Sequence, residues 1–168
     1  MGDVKNLADI EALEKVKDLL EGKMCFLCTF RTDGSIHSRP MSVANIDEDG
    51  NIWFFSPRDS NKNREINQSD HVYIMFMEAG KQHYLTMSGF AEIVIDQQKV
   101  EKLWNVFLNA WFTEGKNDPN ISLLKVSNLE GHYWDEKNGH LISMVKTTIA
   151  AITRTKGLDG SLQGDLTL

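Results

Sequence analysis

Short apolar runs closed by turn signals recur along this chain, and nowhere does a strand pattern pass through a helix to a parallel strand. That repetition limits the fold more than any single motif. Met24–Phe30 runs into Thr32-Asp33-Gly34, residues 36–46 run towards Asp49-Gly50, and residues 51–56 follow. His71–Glu78 leads through Ala79-Gly80-Lys81-Gln82 into a long run over 83–95. Residues 121–126, 131–134 and 140–144 read as later strands, the last after Asn138-Gly139. Asp-Gly and Asn-Gly supply the positive φ values that tight hairpins require, so neighbouring runs are expected to pair antiparallel. About six or seven such strands without βαβ alternation predict a mainly β fold, an antiparallel barrel.

Two longer segments carry helical spacing. Leu7, Ile10, Leu13, Val16, Leu19 and Leu20 lie between a capping Asn6 and a terminating Gly22. Val100, Leu103, Trp104, Phe107, Leu108 and Trp111 mark a second helix over 97–111. Both are expected to cover open parts of the barrel. Residues 60–68 read as a short polar helix, and 145–154 as weakly helical. Gly89, inside the run 83–95, predicts a bulge or a close approach of two backbones. Residues 1–155 are expected to form one domain, and 156–168, rich in glycine, a flexible tail.

Residues 38–64 concentrate the polar chemistry. A two-residue loop at Asp49-Gly50 would pair Glu48 with Asn51 and set Arg39 opposite Ser60. A four-residue loop over 47–50 would set Arg39 opposite Arg58. Either register carries Arg39 to the start of the helix over 60–68, where Asp59 or Ser60 can cap and Lys62 lies in the first turn. A helix N-terminus offers unpaired N–H groups and partial positive charge, so anions bind there. The chain has 18 Lys+Arg against 24 Asp+Glu. Arg39, Arg58, Lys62 and Arg64 are therefore a basic island in an acidic protein. Arg39, Ser60 and Lys62 are candidate phosphate ligands, and ordinary solvated charges are the alternative. Pro40 lacks an N–H, which suits either a protected edge or a break that turns backbone groups to a ligand. His37 alternates with Arg39 and could face the same ligand or the solvent.

The acidic balance, with a pI near 5.3, argues against a nucleic-acid surface. No apolar run approaches the ~20 residues of a membrane span. The first residues carry no apolar signal region, and Asn6 stands where a myristoylation motif at Gly2 wants Ser or Thr. A cytoplasmic location with neither nucleic-acid nor membrane partners is the expectation. Cys25 and Cys28 form a C-x-x-C, but residues three apart on a strand point to opposite faces. Neither a disulfide nor a metal site is expected from them. The chain contains no G-x-S-x-G, H-E-x-x-H, P-loop or G-x-G-x-x-G, and its histidines, at 37, 71, 83, 132 and 140, lack ligand spacing. No catalytic residue is assigned. Such a chain can still serve redox chemistry if a cofactor carries the reaction.

In order, Ser38-Arg39-Pro40-Met41, Trp53-Phe54-Phe55-Ser56, Arg58-Asp59-Ser60 with Lys62, Ser88-Gly89, Leu103-Trp104, Ala110-Trp111-Phe112 and Tyr133-Trp134-Asp135 form a pattern. It resembles the pyridoxamine 5'-phosphate oxidase-related FMN-binding split barrels, and within them the general stress protein branch. The resemblance extends over residues 7–150. It implies an FMN-binding split β-barrel flanked by helices, and a homodimer with flavin at the interface. It matches Arg39, Pro40, Met41 and Ser42 to the strand beside the flavin. Phe55 and Ser56 match the pair whose backbone and hydroxyl meet the isoalloxazine edge. Ser60 and Lys62 match the phosphate-binding serine and lysine. Tyr84 stands where the oxidase has Gln, Asn61 where it often has Arg, and Trp111 where it would stack near the ring from the partner chain. The oxidase's C-terminal segment is rich in Trp and Arg, and residues 157–168 here contain neither. Vitamin B6 oxidation is therefore not implied. Three activities fit: a flavin-dependent oxidoreductase of an unknown small substrate, a flavin store or sensor without turnover, and a flavin-free dimeric interaction module.

Overall fold

The structure is a computed structural model that describes residues 3–4, 7–136 and 161–167. Its elements are β1 (Asp3–Val4), β2 (Leu7–Ala8), α1 (Asp9–Leu20), β3 (Met24–Phe30), β4 (Ile36–Ser42), β5 (Asn45–Ile46) and β6 (Ile52–Pro57). There follow α2 (Asn61–Gln68), β7 (His71–Glu78), β8 (His83–Val94), α3 (Gln97–Leu103), β9 (Ile121–Glu136) and β10 (Ser161–Thr167). The strands run in the order β1-β10-β9-β8-β7-β3-β4, with β6 on the first half of β9 and β5 on β6. All pairings are antiparallel except those of β10 with β1 and β2. This curled, mainly antiparallel sheet is the expected split barrel. Its inner face buries Leu27, Phe54, Ile74, Leu85, Leu124 and Tyr133, and α1 adds Val16, Leu19 and Leu20 to the same core. Gly22, at φ 68°, ends α1 as the sequence predicts. No helix among the described residues is long and apolar enough to cross a membrane.

The split lies between β4 and β6. These strands approach each other but share no ladder. The hairpin registers expected from Asp49-Gly50 do not form. Ile46 pairs with Ile52 and Asn45 with Trp53, and the ladder stops there. Asp47 sets the wider loop: its carboxylate accepts from the Asn51 backbone N–H at 2.9 Å and from Trp53 Nε1 at 2.8 Å. The chain before Val43 instead pairs with β3 over its whole length, Met24 opposite Ser42 to Phe30 opposite Ile36. That ladder has no bulge, and β4 is the sheet edge, so Pro40 occupies a place where its missing N–H breaks no pairing.

Three further expectations are corrected. The helix over 97–111 ends at Leu103, because Trp104 is extended and Asn105 starts a new 3₁₀ helix, Val106–Ala110, by accepting from the Phe107 N–H at 3.1 Å. Asn competes with the helix for backbone bonds and caps readily, which apolar spacing does not register. The runs 121–126 and 131–134 are one strand, β9, bent at Asn128 with φ 51°. Residues 161–167, expected in a flexible tail, form β10, laddered on β9 at one edge and on β1 and β2 at the other. Leu166 there is buried. The hairpin at Asn138-Gly139, the strand 140–144 and the helix 145–154 lie outside the described residues. Gly89 behaves as expected: the β8–β9 register shifts between Ser88 and Phe90, and a Cβ there would stand 2.7 Å from the Ser127 carbonyl oxygen.

Cys25 points into the core and Cys28 to the opposite face, and both are free and buried. Burial, with the neighbouring Cys28, pushes the Cys25 thiol up to about 12. The thiolate is the reactive form. Native protein at neutral pH is expected to resist iodoacetamide at both positions, and unfolded protein to take two alkyl groups by mass. Rapid double alkylation of folded protein would contradict the core assignment.

Candidate functional site

Strand alternation divides the residues of β4 between two surfaces. His37, Arg39 and Met41 oppose Thr29, Leu27 and Cys25 on the inner face, whereas Ser38, Pro40 and Ser42 point outward. Met41 packs against the core. The Arg39 side chain, only 17% exposed, reaches from β4 to α2. Its Nη2 donates to Glu65 Oε2 at 2.8 Å, and its Nη1 donates to Thr29 Oγ1 at 2.6 Å and to the Leu27 carbonyl oxygen at 3.5 Å.

Glu65 gathers this corner. Its Oε2 also accepts from Thr29 Oγ1 at 2.5 Å, its Oε1 lies 2.8 Å from His37 Nδ1, and Arg31 Nε stands 3.7 Å away. Burial alone would raise its pKa. The bonds from Thr29, His37 and Arg39, with the Arg39 charge, outweigh that and hold it at about 2. His37 therefore faces this carboxylate while its side chain stays 35% exposed. One turn earlier on the same helix stands Lys62, half-buried. Burial pushes its pKa down, the Arg39 guanidinium pushes the same way, and Asp59 opposes them. Lys62 has no hydrogen-bond or ion-pair partner among the described residues.

Ser60 is the N-cap of α2 and accepts from the Asn63 N–H at 3.4 Å. Ser56 lies within reach of it, 3.3 Å between hydroxyl oxygens. The Ser56 hydroxyl is fully buried and donates to Asn63 Oδ1 at 2.6 Å, while Asn63 Nδ2 donates to Ser122 Oγ at 3.0 Å. The hydroxyl proton is thus donated within the fold. Phe55 faces the other way, into a small core with Trp104 and Phe112. The structure therefore brings Arg39, Ser60 and Lys62 to one end of the split, with Ser56 behind them.

Pro40 and Tyr84 stand elsewhere, on the outer face of the sheet. They line an open apolar groove of about 760 Å³ with Phe26, Met75, Met77 and Trp134. Trp111 follows the 3₁₀ helix Val106–Ala110, 68% exposed, and lines neither this groove nor the Arg39 corner. Sequence reasoning missed Glu65, Thr29 and Asn63. The one available signal for Glu65 was its spacing, three residues after Lys62 and so on the same helical face. Among the described residues, no group of three His, Cys, Asp or Glu could hold a metal ion.

A half-buried lysine beside a partly buried arginine, at a helix N-terminus, is an arrangement that an anion would complete. β4 is a sheet edge, and β6 is laddered to β5 only at Ile52 and Trp53, so the facing stretches leave backbone N–H and C=O groups towards the split, which suits a flat ligand with polar edges. A family model described as pyridoxamine 5'-phosphate oxidase like matches residues 11–159. The chain is 31% identical to the general stress FMN/FAD binding protein of Xanthomonas citri, over 69% of this chain and 82% of that one, with a TM-score of 0.58. It is 26% identical to the general stress protein 26 of Bacillus anthracis, over 74% and 94% of the two chains, with a TM-score of 0.65. Protein bli-3 of Neurospora crassa is 28% identical over 109 residues, 60% of this chain, and the match spans about half of that protein, 52%. A match over residues 11–159 on a split barrel places the chain in the pyridoxamine 5'-phosphate oxidase-like family.

Proposed function

We propose that this protein binds FMN, with the phosphate between Arg39, Lys62 and the N-terminus of α2 and the ring along the split. The observation that carries the reading is the half-buried Lys62, without a hydrogen-bond or ion-pair partner among the described residues, beside a second cation and with only Asp59 in partial compensation. A phosphate would relieve the Lys62 charge and accept from the Arg39 donors that Glu65, Thr29 and Leu27 leave unused. Ser60 lies at the same helix end. The backbone of residues 39–42 and of Phe55 and Ser56, on the two open edges, is the natural partner of the ring's polar rim. FMN, when bound, supplies electron-transfer chemistry, and the protein's part is to hold and orient it. A flavin-dependent oxidoreductase acting on a small molecule is the reading we favour; storage or sensing of flavin is the second. The spectrum of the purified, FMN-loaded protein and its stopped-flow reduction by NADH or NADPH separate them. Protein that neither carries nor takes up FMN would refute both.

The outer groove completes the proposal. Met24, Phe26, Met75, Met77 and Tyr84 leave an apolar stretch of sheet exposed to solvent, the kind of surface that marks an interaction face. Closed two-fold dimers are the commonest way to cover such a face, and a second copy there would carry its own Tyr84 and Pro40 to the interface. Trp111, exposed at its own corner, is free to reach a partner's flavin. Sedimentation is expected to give a dimer at micromolar concentration. A monomer that still holds FMN tightly would overturn this part.

A further inference from the structure

We infer that Glu65 is a positioning residue that fixes Arg39 so that one edge of its guanidinium is presented to a phosphate; this rests on the FMN reading above. Arginine offers five N–H donors in a rigid plane. Three are spent: both on Nη1, to Thr29 Oγ1 and the Leu27 carbonyl oxygen, and one on Nη2, to Glu65 Oε2. Thr29 Oγ1 and Glu65 Oε2 are themselves bonded, 2.5 Å apart. The two acceptors therefore share the end of the fork, between Nη1 and Nη2. What remains is the side edge, Nε–H and the second Nη2–H, which point the same way. That pair is the geometry that grips a phosphate through two oxygens.

Glu65 is itself fixed on its other oxygen by His37 Nδ1 at 2.8 Å and approached by Arg31 Nε at 3.7 Å. Held from both sides, the carboxylate cannot follow Arg39 if the arginine swings. Arg39 thus has one conformation before any ligand arrives, and little ordering remains to be done on binding. The negative charge of Glu65 opposes an incoming phosphate, so two effects of opposite sign meet at this residue. If charge dominated, removing it would strengthen FMN binding. The three-point hold on Arg39 favours the opposite outcome.

A double-mutant cycle decides. FMN and riboflavin are titrated at fixed salt against the unmodified protein, Glu65→Gln, Arg39→Ala and the double variant, with thermal midpoints confirming the fold. Glu65→Gln is expected to weaken FMN roughly tenfold, the scale of one charged hydrogen bond, and to leave riboflavin within twofold. In the Arg39→Ala background the same change is expected to cause no loss of FMN affinity, because the positioning role of Glu65 acts through Arg39 and only its repulsion of the phosphate is left to remove. Should Arg39→Ala fail to fold, Arg39→Lys keeps the charge opposite Glu65, removes the fork and serves as the background. Unchanged or tighter FMN binding by Glu65→Gln, or an equal loss in both backgrounds, overturns the inference while a preference for FMN over riboflavin leaves the parent reading standing. Equal affinity of the unmodified protein for FMN and riboflavin overturns both.

Discussion

Lys62→Ala is expected to weaken FMN binding by roughly ten- to a hundredfold and to change riboflavin binding by no more than about threefold. The asymmetry follows from where Lys62 stands. It is half-buried at the first turn of α2, its charge disfavoured by burial and then by Arg39, with only Asp59 in compensation. Keeping an ammonium there without an anion costs free energy, and a phosphate dianion would offset that cost. Riboflavin has no phosphate, so it neither gains from Lys62 nor loses when Lys62 is removed. A pH signature accompanies this. Phosphate binding favours the ammonium form, so FMN affinity should fall as pH rises through the depressed pKa of Lys62. Isothermal titration of both ligands at several pH values reads all of it. A loss of riboflavin equal to the loss of FMN would mean that Lys62 supports the fold and not the phosphate.

The second large effect concerns stability. Gly131 lies in β9 directly opposite Met87 of β8. A Cβ on it would collide with the Thr86 carbonyl oxygen and stand 2.6 Å from Met87 Cγ and 2.9 Å from Met87 Cα. Two of those three atoms are backbone, so the clash is relieved only by parting the two strands with the longest shared ladder. Overpacking a filled site costs about 1–3 kcal/mol, and a backbone collision belongs at the top of that range. Gly131→Ala is therefore expected to cost about 3 kcal/mol, on the order of 6–12 °C in Tm for a chain of this size. Gly80 has no neighbour within 4 Å of such a Cβ, so Gly80→Ala should unfold within about 2 °C of the unmodified protein. Chemical denaturation placing Gly131→Ala within 0.5 kcal/mol of the parent would show that β8 and β9 are further apart than described.

The sequence carried most of the barrel because its signals are local. Thr32-Asp33-Gly34 joins β3 to β4, and Ala79-Gly80-Lys81-Gln82 joins β7 to β8, and each turn lies where composition puts it. Expectations failed where a single polar side chain outweighed periodicity. Asp47 widened a hairpin loop, and Asn105 ended a helix that Phe107, Leu108 and Trp111 continue by spacing alone. β10 was illegible for another reason: Gly164 and its neighbours have weak strand preference, and the ladder on β9, β1 and β2 comes from distant parts of the chain.

At the site, Arg39, Ser60 and Lys62 were visible as a basic island at a helix start, and the structure does gather them. The route differs, since Arg39 arrives on the edge of the β3–β4 ladder and not on a long hairpin to β6. Glu65 was hidden because a single acid in a polar helix reads as a solvated face, and only the strand opposite shows that it is enclosed. Pro40 and Arg39 are adjacent in sequence yet lie on opposite faces of β4, so one motif serves two surfaces, the groove and the phosphate corner.

The central claim is that the corner between β4 and α2 is a phosphate site. Paired titrations of the unmodified protein with FMN and with riboflavin, at one salt concentration, test it most directly. Two charged contacts, from Arg39 and Lys62, are worth roughly 3–5 kcal/mol together, so FMN should bind a hundred- to several-thousand-fold more tightly. Equal affinity for the two ligands would mean that Arg39 and Lys62 serve only the fold, and the account of this corner would be wrong even with the barrel correct.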